Sequence, residues 1–240
     1  MKKFKLKKEY YYIGGIALFL LAVLLGVFII TSNSTDGAKF KKEYEKLNGE
    51  KTSSGNVYQT LNIKKKNKVK YITLKEAVEI VDKGTGIVYF GMPNCPWCRE
   101  LVPILLEKLD CSCIENLYYV DMSEERNTYE ITDEEPVETK KASNEYYELL
   151  DLMSEYLDDY TITDSEGVEH VLPQKRIYLP FLVAVKDGQI IEGHTGTVDL
   201  EDNQSPYDEL NETQKSEVEV IINKMIDGVT KEQTTCEDHC

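Results

Sequence analysis

Apolar residues along this 240-residue chain fall into one long unbroken run, several short runs, and stripes at helical spacing. The long run is Ile13 to Ile30, eighteen residues without a charge, a proline or a strongly polar side chain. That length is at the lower end for crossing a bilayer, and Tyr10, Tyr11 and Tyr12 supply an interfacial belt before it. Lys2, Lys3, Lys5, Lys7 and Lys8 precede it, so residues 1–12 read as a cytoplasmic basic segment. Residues 13–30 then read as a transmembrane signal anchor that leaves the bulk of the chain outside the cell. A cleaved signal peptide is the rival reading, with Ser32-Asn33-Ser34 as a small-x-small cleavage site. The run is longer than a usual signal core, which favours the anchor.

Residues 31–67 are polar and read as a tether, with a short charged helix over 39–47 and a flexible stretch from Gly49 to Gly55. Lys64-Lys65-Lys66 reads as a solvated turn. Regular patterning begins at residue 68. Val69 to Ile72 predicts a strand. Thr73 and Glu76 predict a capping box, and Leu74, Ala77, Val78 and Val81 the apolar face of a helix that ends at Gly84. Gly86 to Phe90 is short, apolar and rich in β-branched and aromatic residues, as a core strand should be. Leu101, Ile104, Leu105 and Leu109 predict a second helix, and Leu117 to Val120 a third strand. This β-α-β-α-β order calls for an α/β fold with parallel strands and helices on both faces. Tyr146, Leu149, Leu150, Met153, Leu157 and Tyr160 share a stripe that predicts an amphipathic helix from Ser143 to Tyr160. The bland reading packs that stripe on the domain, and the sharper one makes it a lid or docking surface. Phe181–Val185 and Gln189–Ile191 predict a hairpin across Asp187-Gly188, and Val218 to Ile226 a closing helix.

Charge changes the picture next. The net charge is −15, although residues 1–30 hold five lysines against one acid. Residues 121–169 carry 17 acids against three bases, so most of the excess sits in one acidic stretch. Such a surface repels phosphates and argues against nucleic acid as a partner. It also leaves the lipid bilayer to be met through the N-terminal segment alone. The acids lack EF-hand spacing, so they make no calcium case.

The candidate chemistry lies in Cys95-Pro96-Trp97-Cys98, between the core strand and the second helix. Pro96 suits a first helical position. Cys95 would face unpaired backbone N–H groups and the positive end of the helix dipole, exposed and biased towards thiolate. Cys98, one turn in, would be shielded. That asymmetry suits an attacking and a resolving cysteine in thiol–disulfide exchange. Half of a zinc site and a structural disulfide are the competing readings. No second C-x-x-C or H-x-x-x-H completes a zinc site, so no metal and no cofactor is expected. All six cysteines follow the apolar run, as an oxidising extracytoplasmic compartment permits.

Further residues resemble the thioredoxin-like family over roughly residues 68–228. Pro103, eight residues after Cys95, matches the kinking proline of that family's active-site helix. Leu179-Pro180 before Phe181–Val185 looks like its cis-proline and following strand. Gly196, sixteen after Pro180, matches a glycine lining its substrate groove. The anchor, the Pro-Trp dipeptide and the acidic insertion are most similar to bacteriocin transport accessory proteins of Gram-positive bacteria. The resemblance implies a central mixed sheet flanked by helices, with a helical acidic insertion at 124–176 before the cis-proline and a tail at 229–240. It implies catalysis by Cys95 and Cys98, and client binding by Trp97, the Leu179 backbone, Pro180 and Gly196. The family's buried acid would fall at Tyr89, so this chain departs from the pattern there. The family's helix ends share one pole, which implies one or two structural disulfides joining Cys111 and Cys113 to Cys236 and Cys240. Cys113–Cys236 is one such bridge. A metal site at Cys236, His239 and Cys240 is the alternative. His170 and His194 read as surface residues.

The expected function is that of a membrane-anchored extracellular thiol–disulfide oxidoreductase, its direction of electron flow open. Its partners would be cysteine-containing secreted peptides, bacteriocins among them, and a membrane or extracellular redox partner. The rival is a non-enzymatic holding module whose acidic insertion binds a basic peptide or transporter, with the cysteine pair as a staple.

Overall fold

The structure is a computed structural model and describes residues 35–132 and 135–230. The expected span at residues 13–30 and the basic segment before it lie outside these residues. No helix among the described residues is long and apolar enough to cross a membrane.

A five-stranded mixed sheet is the centre of the molecule. Its strands are β1 (Val69–Tyr71), β2 (Gly86–Gly91), β3 (Leu117–Asp121), β8 (Phe181–Lys186) and β9 (Gln189–Thr195), in the order β1-β3-β2-β8-β9. The first three are parallel, and β8 and β9 run antiparallel, with Tyr89 opposite Tyr119 on one side and Leu182 on the other. Between β3 and β8 come β4 (Thr128–Thr132), β5 (Glu135–Lys140), β6 (Asp158–Thr163) and β7 (Glu169–Arg176). The helices are α1 (Asp36–Glu45), α2 (Leu74–Lys83), α3 (Pro96–Asp110), α4 (Asn144–Leu152) and α5 (Glu212–Thr230).

Alternation along the strands divides the core in two. Ile87, Tyr89, Leu182 and Ala184 face a cluster completed by α1, α3 and α5. Val88, Phe90, Phe181, Val183 and Val185 face a second cluster completed by α2 and α4. Every residue of β2 is buried, which explains its unbroken apolar run. The Thr73–Glu76 capping box forms as expected. The β8–β9 turn places Asp187 and Gly188 at φ 52° and 73°. A side chain at Gly188 would meet the Asp82 carbonyl oxygen at 2.3 Å, so this turn requires glycine.

Two expectations need correction. Residues 35–63 are not a tether. Thr35 caps α1, whose Phe40 and Tyr44 are fully buried, and Leu61 and Ile63 are buried beyond it. Phe40 and Tyr44 stack at 4.3 Å, and Phe40 meets Tyr119 edge-on at 5.0 Å. The two aromatics lie four apart on one helical face, which is enough to dock a helix whose other positions are charged. The packed unit therefore includes the described residues ahead of β1.

The acidic insertion is also not mainly helical. It consists of the β4–β5 hairpin, α4, a 3₁₀ turn (Ser154–Tyr156) and the β6–β7 hairpin. The expected helix from Ser143 to Tyr160 stops at Leu152. Leu157 and Tyr160 are buried, yet Tyr160 lies on β6, followed by β-branched Thr161, Ile162 and Thr163. The helical part of the stripe, Tyr146, Leu149 and Leu150, packs under the sheet, as the bland reading had it. The Asp164-Ser-Glu-Gly167 turn forms, with Asp164 Oδ1 accepting from the Glu166 and Val168 amides at 2.9 Å.

Candidate functional site

Strand β2 ends at Gly91, and a short loop brings Cys95 to the N-cap of α3 with Pro96 at its first turn. The Cys98 amide donates to Cys95 Sγ at 3.3 Å, one of the donors that a helix start leaves without a backbone acceptor. Pro103 lies inside the same helix. Across from it the Leu179–Pro180 peptide bond is cis, and the Cys95 thiol reaches the Leu179 carbonyl at 3.6 Å. The Gly196 amide donates to the Pro180 carbonyl at 2.7 Å, with Gly196 at φ 79°. A groove of about 610 Å³ runs beside this point, lined by Trp97, Leu179, His194, Gly196 and Ile221 among others. Cys95, Cys98, Trp97, Leu179, Pro180 and Gly196 thus come together. His194, expected at the surface, lines the groove as well, and its Nε2 lies 2.8 Å from the Thr197 carbonyl. A larger cavity of about 680 Å³, bordered by Asn62, Pro103, Leu106 and Asp110, includes neither of these two thiols.

Cys95 and Cys98 are free thiols. Cys95 is more sheltered than expected, only 6% exposed, because it belongs to the core cluster against which Trp97 and Leu179 pack. Its acidity is still raised. The Cys98 side chain, the Cys98 and Trp97 amides and the charge of Arg126 all hold the Cys95 pKa below the usual thiol range, against the cost of burial. Cys98 is fully buried, and that burial, with the neighbouring Cys95, pushes its pKa well up. The two thiols are therefore strongly unequal.

Several residues around the pair gave no sequence motif. Arg99 is fully buried and fastens the segment before β1 to α3. Its guanidinium donates to the carbonyls of Tyr44 (2.7 Å) and Gln59 (2.6 Å) and to Asn48 Oδ1 (2.7 Å). Arg126 comes from the insertion. Glu100 is 5% exposed, and neither carboxyl oxygen has a hydrogen-bond partner. The Gln59 amide lies near enough to lower its pKa in part but donates to the Asp208 carbonyl at 2.9 Å. The only local signal was a pair of charges, Arg99 and Glu100, directly before the apolar stretch of the helix from Leu101 to Leu106.

Burial raises the Glu100 pKa from 4.5 to about 8. The unfolded chain releases this proton through the ordinary carboxylate range, whereas the folded chain keeps it to about pH 8. Stability from this group is full below pH 4.5 and is lost as pH rises through that window. Glu100→Gln, which mimics the protonated side chain, should therefore raise Tm relative to wild type at pH 8 and match it near pH 4. Thermal melts of both proteins across that range check the sign.

Cys111 and Cys113 are both disulfide-bonded. Their expected partners Cys236 and Cys240 lie outside the described residues, as does the alternative site with His239. Among the described residues no cluster of three or more His, Cys, Asp or Glu could hold a metal ion. His170 sits 2.9 Å from Asp164 in the β6–β7 turn, away from the cysteines. No known family model matches the chain, and no curated protein matches it.

Proposed function

We propose that this chain is a thioredoxin-like thiol–disulfide oxidoreductase, anchored in the membrane with its redox domain outside the cell. The observation that carries the reading is the placement of two free, unequal thiols at a helix start, Cys95 Sγ lying 3.6 Å from the carbonyl of a cis Leu179–Pro180 bond. In the reducing direction, the Cys95 thiolate attacks a client disulfide. A Cys95–client bond forms, and one client sulfur leaves as thiolate. Cys98 then attacks the Cys95 sulfur, closing Cys95–Cys98 and releasing the second client thiol. Two electrons pass from the pair to the client. The same steps run backwards oxidise a client dithiol. An extracytoplasmic setting favours forming or shuffling disulfides in exported polypeptides, with a membrane or extracellular redox partner resetting the pair.

The groove beside Leu179 supports an extended client lying along the backbone, with Trp97 and Ile221 offering apolar contact. The resemblance to bacteriocin transport accessory proteins makes a secreted peptide the favoured client, in bacteriocin export or maturation. The holding-module alternative rests on the acidic hairpins alone and gives the thiol asymmetry no task.

Reduction of insulin disulfides by the full-length chain, with dithiothreitol as electron donor, tests the reading. Turnover well above the dithiothreitol background is expected, and its loss when Cys95 is alkylated. A rate equal to background for both insulin reduction and the refolding of scrambled ribonuclease would overturn it.

A further inference from the structure

Cys98 must carry negative charge as it attacks the Cys95–client bond, yet it is fully buried in the apolar cluster. Such charge is costly in that setting unless a donor meets it. Tyr89 shares that buried cluster with Cys98, and hydrogen bonding from its side chain works against burial to lower the Cys98 pKa. Tyr89 projects from β2, the strand that leads into the cysteine loop, and is itself fully buried. Behind it lies Tyr44 of α1, also fully buried, with the two hydroxyl oxygens 2.9 Å apart. A third tyrosine, Tyr119, is also buried there, but its hydroxyl donates to the Gly91 carbonyl at 3.3 Å. The Met92 backbone adds a contact to Cys98, and Arg126 reaches it only through its charge.

Resting on the proposed redox reading, we propose that Tyr44 and Tyr89 form a neutral hydroxyl chain that stabilises Cys98 during resolution, making α1 a working part of the site. Tyr44 donates to Tyr89, and Tyr89 donates to the Cys98 sulfur. Each donation polarises the next, so the terminal O–H meets the growing charge more strongly than an isolated phenol. The proton balance closes without an outside base. Cys98–SH and Cys95–S–S–client become Cys95–S–S–Cys98 and client–SH, the Cys98 proton ending on the departing client sulfur. Both tyrosines are positioning residues, since neither bonds to the client. Neither phenol ionises below pH 10, because burial holds both pKa values above the ordinary tyrosine value. The chain therefore donates in the same way across the whole working range.

Single-turnover kinetics of the full-length chain with insulin separate the two chemical steps. Acid quenching and thiol blocking give the rate of mixed-disulfide formation through Cys95 and the rate of its decay through Cys98. Tyr89→Phe should slow decay at least about tenfold, the lower end for one hydrogen bond to a charged group. Tyr44→Phe should slow it about threefold. Both should leave formation within twofold of wild type, and both should shift the pH profile of decay upwards. Equal slowing of both steps, or an unchanged decay rate in both variants, would overturn the proposal. If Tyr89→Phe does not fold, Tyr44→Phe decides alone. A wild-type chain that forms no mixed disulfide would overturn the redox reading itself, and this proposal with it.

Discussion

Cys95→Ser is expected to abolish client turnover, and Cys98→Ala is expected to leave the client covalently attached. These two outcomes differ because the two sulfurs differ. Cys95 Sγ accepts the Cys98 amide at a helix start and lies 3.6 Å from the cis-peptide carbonyl, so under the proposed function it is the sulfur expected to meet a client. Serine cannot form the disulfide, and no other free thiol among the described residues lies on the groove side to replace it. Cys98 is fully buried behind it, out of a client's direct reach. Without Cys98 the mixed disulfide waits for an outside thiol. Turnover should fall by at least about a thousandfold in Cys95→Ser, as expected when the nucleophile itself is removed. Non-reducing electrophoresis of the Cys98→Ala protein with client should show one adduct that reductant releases. An adduct on Cys98 in a Cys95→Ser chain would reverse the roles assigned here.

The second large effect lies at Phe40, well ahead of the first strand at Val69. Phe40→Ala should destabilise the packed unit by about 3–5 kcal/mol, the range for removing a buried aromatic side chain. Phe40 is fully buried, stacked on Tyr44 and set edge-on against Tyr119 and Tyr71. Its loss leaves a void beside Tyr44, Tyr71 and Tyr119. Because Tyr44 rides on the same helix, the variant should also slow the resolving step. Urea unfolding measures the first effect. A change below about 1 kcal/mol would mean that α1 is held loosely, as a tether would be.

The contrast between these residues shows what the sequence made legible. The cysteine loop could be read because its signals are local: an apolar strand, a proline at a first helical position and two thiols one turn apart. The central strands β2 and β8 were equally plain, because burial on both faces leaves them almost wholly apolar. Phe40 and Tyr44 were missed because only two apolar residues anchor α1 among lysines and glutamates, and their partners Tyr89, Arg99 and Tyr119 are distant in the chain. The insertion was misread for a related reason. Tyr146 to Tyr160 keeps a helical period by coincidence, whereas Thr128 to Thr132 and Glu135 to Lys140 alternate too briefly to stand out. Glu100 and Arg99 left only an adjacent pair of charges in the helix, with no motif around it. Their weight comes from burial, which only the packing of the segment before β1 creates.

The fold and the site together also place the unusual residue of the cysteine loop's own strand. Tyr89 stands where the thioredoxin-like resemblance leads one to expect an acid. A carboxylate there would face a fully buried thiol with little water to support it. A tyrosine instead offers a donor that stays neutral, backed by a second hydroxyl from α1.

The most direct test of a redox-active Cys95–Cys98 pair is its equilibrium with glutathione. Trp97, the only tryptophan in the chain, lies between the two cysteines in sequence, and its fluorescence serves as the readout. A reversible transition with a potential between roughly −270 and −120 mV, the span of thiol–disulfide exchange proteins, is the result expected. A pair that stays closed below about −300 mV, as structural disulfides do, would contradict the account and leave the cysteines as a staple.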